Sequence, residues 1–157
     1  MRTLILLLFF AASAHAQATF QNPIKETGAD PWTTYFQGSY YYMATAGTGV
    51  TMRTARKLAG LKTAPDQLVW SDKEPSRFRD MWAPECHLLP DSFGKPRWYL
   101  YYTAADGVEP HHRLYVAESR GPTPLGPYSF KAKLLTDPKD EFYAIDGTVL
   151  QLPGGQL

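Results

Sequence analysis

The sequence predicts an all-β fold built from repeated four-stranded units. Three observations carry this prediction. Short segments rich in aromatic and β-branched residues recur along the chain, as is typical of strands. Clusters of Gly, Pro and Asp separate these segments, and long amphipathic helical patterns are missing. A motif headed by a carboxylate recurs at a nearly constant interval, which indicates a repeat architecture.

The strands are predicted in order along the chain. The first unit supplies WTTYF (32–36), SYYYMATA (39–46), VTMRTA (50–55) and QLVW (67–70). The best helical candidate, residues 52–60, is short and continues a Thr-rich strand pattern. The second unit supplies ECHLL (85–89), RWYLYYTA (97–104) and HRLYVAES (112–119). A third unit begins with AIDGTVLQL (144–152), in which Asp146-Gly147 would bisect a strand unless it forms a hairpin turn.

The repeat places a carboxylate near the head of each unit. Asp30, Glu85 and Asp146 occupy these positions, separated by 55 and 61 residues. Four short antiparallel strands with their loops fit this interval, as in a β-propeller blade. The first strand of each blade lies against the central axis, so the three carboxylates are expected to converge. The third unit is unfinished, and we expect the sequence to be the N-terminal part of a longer protein.

The first 16 residues predict a cleavable signal peptide. Arg2 precedes an apolar run from Leu4 to Ala12, and Ala14-His15-Ala16 forms a small-residue cleavage site. We therefore expect cleavage after Ala16, a secreted or periplasmic location, and an incomplete propeller domain over residues 17–157. The sole cysteine, Cys86, cannot form an internal disulfide and is expected to be a small buried residue.

Charge and composition restrict the classes of partner. The chain has 16 basic and 15 acidic residues, and loss of Arg2 makes the two numbers equal. A neutral chain argues against nucleic acid and anionic membranes as partners. Clustered carboxylates in an aromatic-lined funnel instead suit glycoside hydrolysis. One carboxyl group protonates the leaving oxygen there, and another activates water or attacks.

Five motifs extend this argument to a known family. They are GADPW, WAPECH, WYLYYTA, HRLYVAES and YAIDGTVL. Together they resemble the five-bladed propeller enzymes of glycoside hydrolase family 43, above all the secreted α-L-arabinofuranosidase-like members. The resemblance implies an inverting glycosidase acting on arabinose- or xylose-containing plant polysaccharides, with polysaccharide or oligosaccharide as its partner.

The resemblance also implies roles for individual residues. Asp30 would be the general base, and Asp146 would tune the pKa of the general acid and orient it. The acid itself, a Glu of a later blade, has no counterpart in this sequence, so these residues alone are expected to be inactive. No cofactor is expected for the chemistry. A structural Ca²⁺ held by later blades is possible in the complete enzyme.

Four further residues are candidates for substrate binding, each with an alternative. Trp82 is predicted to stack on the reacting sugar or else to be a core tryptophan, and Trp32 leaves the same choice open. Glu85 could contact substrate or brace its blade by accepting hydrogen bonds from backbone donors. His112 fits the family's His-Arg pair near the funnel, or else lies on a solvated loop.

Two other functions remain open at this point. One is a non-catalytic carbohydrate-binding propeller fragment that lacks the general acid. The other is an unrelated β-sandwich lectin, for which no recurrence of carboxylates at intervals of 55–61 residues is expected.

Overall fold

The structure, a computed structural model, describes residues 22–140 and 142–157. The predicted signal peptide and its cleavage site after Ala16 lie outside the described residues. Eight strands form two four-stranded antiparallel sheets, each a simple meander in chain order. No helix in the described part of the chain combines the length and apolar character needed to cross a bilayer.

The first sheet contains the four strands that the sequence predicts. They are β1 (Trp32–Phe36), β2 (Ser39–Met43), β3 (Val50–Ala55) and β4 (Gln67–Trp70). The β1–β2 hairpin turns at Gln37-Gly38, both with positive φ (46° and 81°), as the common two-residue hairpin turn requires. A short 3₁₀ helix, Leu58–Lys62, follows β3 in place of any longer helix.

The second sheet contains one strand that the sequence analysis missed. Its strands are β5 (Arg79–Pro90), β6 (Pro96–Ala105), β7 (Arg113–Ser119) and β8 (Tyr128–Leu134), with a 3₁₀ turn at Glu109–His111 before β7. The missed strand is β8. It pairs with β7 alone, and its lysines and mostly exposed side chains are typical of an edge strand. Such a strand lacks the apolar run that reveals a buried one.

The strand predicted at 144–152 is wrong. Residues 142–157 contain no strand, and within the described chain this segment has no ladder partner. A strand needs a neighbour to satisfy its backbone groups. The segment instead docks against the second sheet. The Ala144 N–H donates to the His112 carbonyl oxygen (3.2 Å), and Val149 packs beside Leu89, Tyr99 and Val116.

The main core lies between the two sheets. One cluster joins buried side chains of both, including Met43 and Met52 from the first sheet and Met81 and Leu100 from the second, all fully buried. Burying a side chain of this size contributes about 1.5–3 kcal/mol. The Phe36 and Trp98 rings meet edge to face, with centroids 5.0 Å apart. This contact joins β1 to β6.

Cys86 belongs to the same core, which confirms its prediction as a small buried residue. Its side chain is 1% exposed, and Sγ lies 2.9 Å from the Tyr128 hydroxyl. Burial raises the pKa of the thiol to about 12, so the group stays protonated and unreactive near neutral pH.

Candidate active site

The three carboxylates singled out by the repeat line one pocket. It has a volume of about 190 Å³ and lies where β1 and β5 meet the C-terminal segment. Its lining is Asp30, Pro31, Trp32, Ala83, Pro84, Glu85 and Asp146. The predicted convergence is therefore present in the structure. The walls come from three places far apart in sequence: the start of β1, the middle of β5 and the C-terminal segment. The packing of the two sheets places their first strands, β1 and β5, side by side, and the C-terminal segment lies next to them.

A shared backbone conformation shows which residues correspond between the units. Asp30 (φ 53°), Ala83 (φ 43°) and Asp146 (φ 55°) are all left-handed, and each is followed by Pro or Gly. Glu85 is therefore not the equivalent of Asp30, contrary to the sequence-based alignment of the repeat. It lies inside β5, whose pairing with β6 is irregular between Trp82 and Glu85. That irregularity is invisible in the residue pattern.

Asp30 sits at the entry to β1 with an exposed side chain. Its Oδ2 accepts a hydrogen bond from the Thr45 hydroxyl at 2.7 Å. Aspartate tolerates a left-handed backbone better than most residues do, because its short polar side chain can bond locally. Pro31 then fixes φ for the start of the strand.

Asp146 reaches the pocket from the C-terminal segment. The next residue, Gly147, packs closely on β7. A Cβ atom at Gly147 would lie 2.8 Å from Leu114 Cδ1. The lack of a side chain at Gly147 lets the backbone approach this closely. Partial desolvation, followed by the charges of Glu109 and Asp146, raises the pKa of the Tyr143 hydroxyl.

Glu85 lines the pocket and also forms hydrogen bonds that brace the surrounding structure. Its Oε2 accepts a hydrogen bond from the Thr148 hydroxyl (2.7 Å) and lies 2.9 Å from His87 Nε2. The bracing partners are side chains rather than the backbone donors that the sequence analysis expected. Through Thr148, Glu85 ties β5 to the segment that carries Asp146.

The two candidate tryptophans differ in position. Trp32 is half-buried, lines the pocket, and meets the His87 ring edge-on at a centroid distance of 6.1 Å. Trp82 is also half-buried but is not among the residues that line the pocket. Its ring stacks on His112 at 3.9 Å.

The structure does not bring His112 to the pocket. Its side chain is fully buried, so the solvated-loop alternative is wrong. Nδ1 lies 2.7 Å from the Glu109 carbonyl oxygen, which places a proton on that nitrogen, and Nε2 lies 3.3 Å from the Asp80 carbonyl oxygen. With Trp82 stacked on its ring and Tyr143 in edge-on contact, His112 holds the C-terminal segment against β5.

The titratable groups in the pocket lining are all acidic. A pocket of this kind disfavours anionic ligands and suits a neutral sugar. Within residues 22–140 and 142–157 there is no cluster of three or more His, Cys, Asp or Glu residues able to hold a metal ion. A structural calcium site in the complete protein therefore stays a prediction, and no chemical step depends on it.

Comparison with known proteins gives the family. A model described as "Glycosyl hydrolases family 43" matches residues 20–157. The chain belongs to glycosyl hydrolase family 43. Members of this family are five-bladed β-propellers, and the two sheets described above correspond to two of the blades. Membership removes the β-sandwich lectin alternative.

Three relatives illustrate the similarity. An extracellular exo-α-(1→5)-L-arabinofuranosidase of Streptomyces avermitilis is 32% identical over 160 residues, which cover 94% of this chain and 32% of that protein. One from Streptomyces chartreusis is 29% identical, covering 93% and 44%. The solved α-L-arabinofuranosidase of Lactobacillus brevis superposes with a TM-score of 0.71 at 27% identity, covering 83% and 43%. The chain thus spans less than half of each relative.

The left-handed backbone at Ala83 generates a stability prediction. Alanine pays about 1–2 kcal/mol for this conformation, whereas glycine does not. Glycine loses more conformational entropy on folding than alanine does, and this loss offsets part of the gain. Ala83→Gly should therefore raise the free energy of unfolding by about 0.5–1 kcal/mol. Urea unfolding followed by tryptophan fluorescence measures the difference.

Ala55→Gly is the matched control, because Ala55 lies in the extended strand β3. It should lose about 0.5–1 kcal/mol. Equal losses in both variants would contradict the assignment of strain to position 83.

Proposed function

We propose that the full-length protein hydrolyses glycosidic bonds in arabinose-containing polysaccharides. The observation that carries the proposal is the convergence of Asp30, Glu85 and Asp146 in one acidic pocket. Family membership supports the reaction class. Both Streptomyces relatives bear the name of arabinofuranosidases, which favours arabinose over xylose as the sugar.

In the proposed mechanism, Asp30 acts as the general base. Its carboxylate accepts a proton from a water molecule as that water attacks the anomeric carbon. Asp146 orients the general acid and tunes its pKa, and the acid protonates the leaving oxygen. The general acid is assigned to a glutamate of a further blade, since the relatives are more than twice as long as this chain.

Trp32 and Glu85 are proposed to contact the sugar. The Trp32 ring gives the pocket an apolar wall for the C–H face of a pentose, and the His87 ring at its edge fixes its orientation. Glu85 can accept a sugar hydroxyl through the oxygen that does not bond Thr148. Trp82 would act indirectly, by supporting His112.

Export is proposed on three grounds. The first residues have the pattern of a signal peptide, and the two Streptomyces relatives are named extracellular. A polysaccharide substrate too large to enter a cell calls for the same location.

Replacing the base tests the proposal. Asp30→Asn in the full-length protein should lower kcat by about 10²–10⁴-fold, because a positioned general base contributes that much. Folding stability should change little, since Asn still accepts the Thr45 hydrogen bond and tolerates a left-handed backbone. Release of arabinose from an arabino-oligosaccharide measures kcat, and thermal unfolding measures stability.

Asp91→Asn is the matched control. Asp91 lies in the β5–β6 hairpin and accepts hydrogen bonds from the Phe93 and Lys95 N–H groups. Its variant should turn over normally. Near-normal kcat in a folded Asp30→Asn variant would remove Asp30 from the mechanism and favour the alternative of a carbohydrate-binding, non-catalytic propeller.

The stereochemical outcome is a second prediction. A base that activates water needs room for that water, with the two reacting carboxyl groups about 6.5–9.5 Å apart. Carboxylates supplied by different blades suit this wide spacing, so the product should have inverted anomeric configuration. Proton NMR of the first-formed sugar, recorded before mutarotation, identifies the anomer. Initial formation of the retained anomer would exclude water activation by Asp30.

A further inference from the structure

We propose that Thr45 is a positioning residue for Asp30. Its hydroxyl holds Oδ2 of the carboxylate and ties it to the second blade, which leaves Oδ1 as the atom that receives the proton from water. The inference rests on the proposed role of Asp30 as general base. Thr45 follows β2, in the segment SYYYMATA that the sequence predicted as a strand of the first unit.

The direction of the hydrogen bonds follows from the chemistry of the three groups. The Ala83 N–H can only donate, and it lies 2.9 Å from Thr45 Oγ1. Thr45 therefore accepts at this contact and keeps its one hydroxyl hydrogen for donation. That hydrogen goes to Asp30 Oδ2, at 2.7 Å, because a carboxylate only accepts. The chain runs from Ala83 through Thr45 to Asp30 without ambiguity.

The loop that carries Thr45 is anchored on both sides. The Thr45 N–H donates to the Ala29 carbonyl oxygen (3.0 Å), next to Asp30 itself. Two residues later, the Gly47 carbonyl oxygen accepts from the Met81 N–H (2.6 Å). Thr45 is half-buried, and its β-branched side chain has few rotamers. The hydroxyl is consequently fixed relative to both blades.

The arrangement gives the two carboxylate oxygens of Asp30 different roles. Oδ2 is occupied by Thr45, whereas Oδ1 has no hydrogen-bond donor among the described residues. Free rotation of the Asp30 side chain would move Oδ1 out of line with the attacking water. A base must lie within hydrogen-bond reach of the proton it removes, so fixing the rotation favours turnover rather than binding.

Steady-state kinetics of three variants of the full-length protein test this role. Thr45→Val removes the hydroxyl with little change of shape, and Thr45→Ser keeps it. Thr48→Val, an exposed position in the same loop, is the matched control. The substrate is an aryl α-L-arabinofuranoside, whose activated leaving group keeps low activities measurable.

The expected result is a split between kcat and KM. Losing a hydrogen bond to a charged group should lower kcat of Thr45→Val about 10- to 100-fold. KM should stay within about 2-fold of the unmodified protein's value, because Thr45 makes no contact with the bound substrate in this proposal. Thr45→Ser should recover most of the loss, and Thr48→Val should match the unmodified protein. A Thr45→Val variant with unchanged kcat, or a Thr45→Ser variant as slow as Thr45→Val, would overturn the proposal.

A double-mutant cycle separates positioning from stability. If Thr45 acts through Asp30, adding Thr45→Val to Asp30→Asn should lower kcat no further. If Thr45 serves only to hold the blades together, the fold-decreases in kcat caused by Thr45→Val and by Asp30→Asn should multiply in the double variant. That result would overturn the proposal. All variants are assayed well below their own unfolding temperatures. A normal kcat in Asp30→Asn alone would instead refute the proposed function.

Discussion

The face-to-face packing of two twisted antiparallel sheets is the constraint on which the rest of the structure depends. One apolar face of each sheet packs against the other sheet, and the fully buried Met43, Met52, Met81 and Leu100 show where these two faces meet. Once those faces are joined, β1 and β5 must lie side by side. Loops that precede or interrupt these strands then share one rim, and polar side chains on them converge without any contact in sequence. The acidic pocket follows from this arrangement.

The rim is also where regular pairing gives way to special backbone conformations. Asp30, Ala83 and Asp146 adopt left-handed conformations at the same place in successive units. Such residues persist only where the surroundings hold them, and they concentrate at functional sites. Two side-chain bridges hold this rim together. Thr45 links the first blade to the second, and the hydrogen bond between Glu85 and Thr148 links the second blade to the segment of Asp146.

The fold was largely predictable from the sequence, because buried strands are recognisable as runs of aromatic and β-branched residues. The edge strand β8 was missed, since half of its surface is solvated and lysine-rich. The strand predicted at 144–152 has the right composition, but composition cannot supply a pairing partner. Convergence of the carboxylates was predicted from the repeat, although Ala83 rather than Glu85 holds the position equivalent to Asp30.

The finer geometry of the site was not predictable in the same way. The correspondence of Asp30 with Ala83 depends on φ angles and a pairing irregularity, and in residue type the two positions share only the proline that follows each. His112 was expected to face sugar or solvent, yet its ring stacks on Trp82 and both its ring nitrogens lie close to backbone carbonyl oxygens inside the protein. Thr45, Thr148 and His87 contribute short polar links, and isolated residues of these types carry no pattern from which a partner can be inferred.

The most direct test of the account is a crystal structure of the full-length Asp30→Asn variant with an arabino-oligosaccharide bound. The account predicts a sugar ring against Trp32 in the pocket, with its anomeric carbon facing position 30 and an ordered water between them. The Thr45 hydroxyl should still hold the side chain at position 30. Density for the sugar elsewhere, for example in the groove lined by Arg77, Lys133 and Asp140, with this pocket empty, would contradict it.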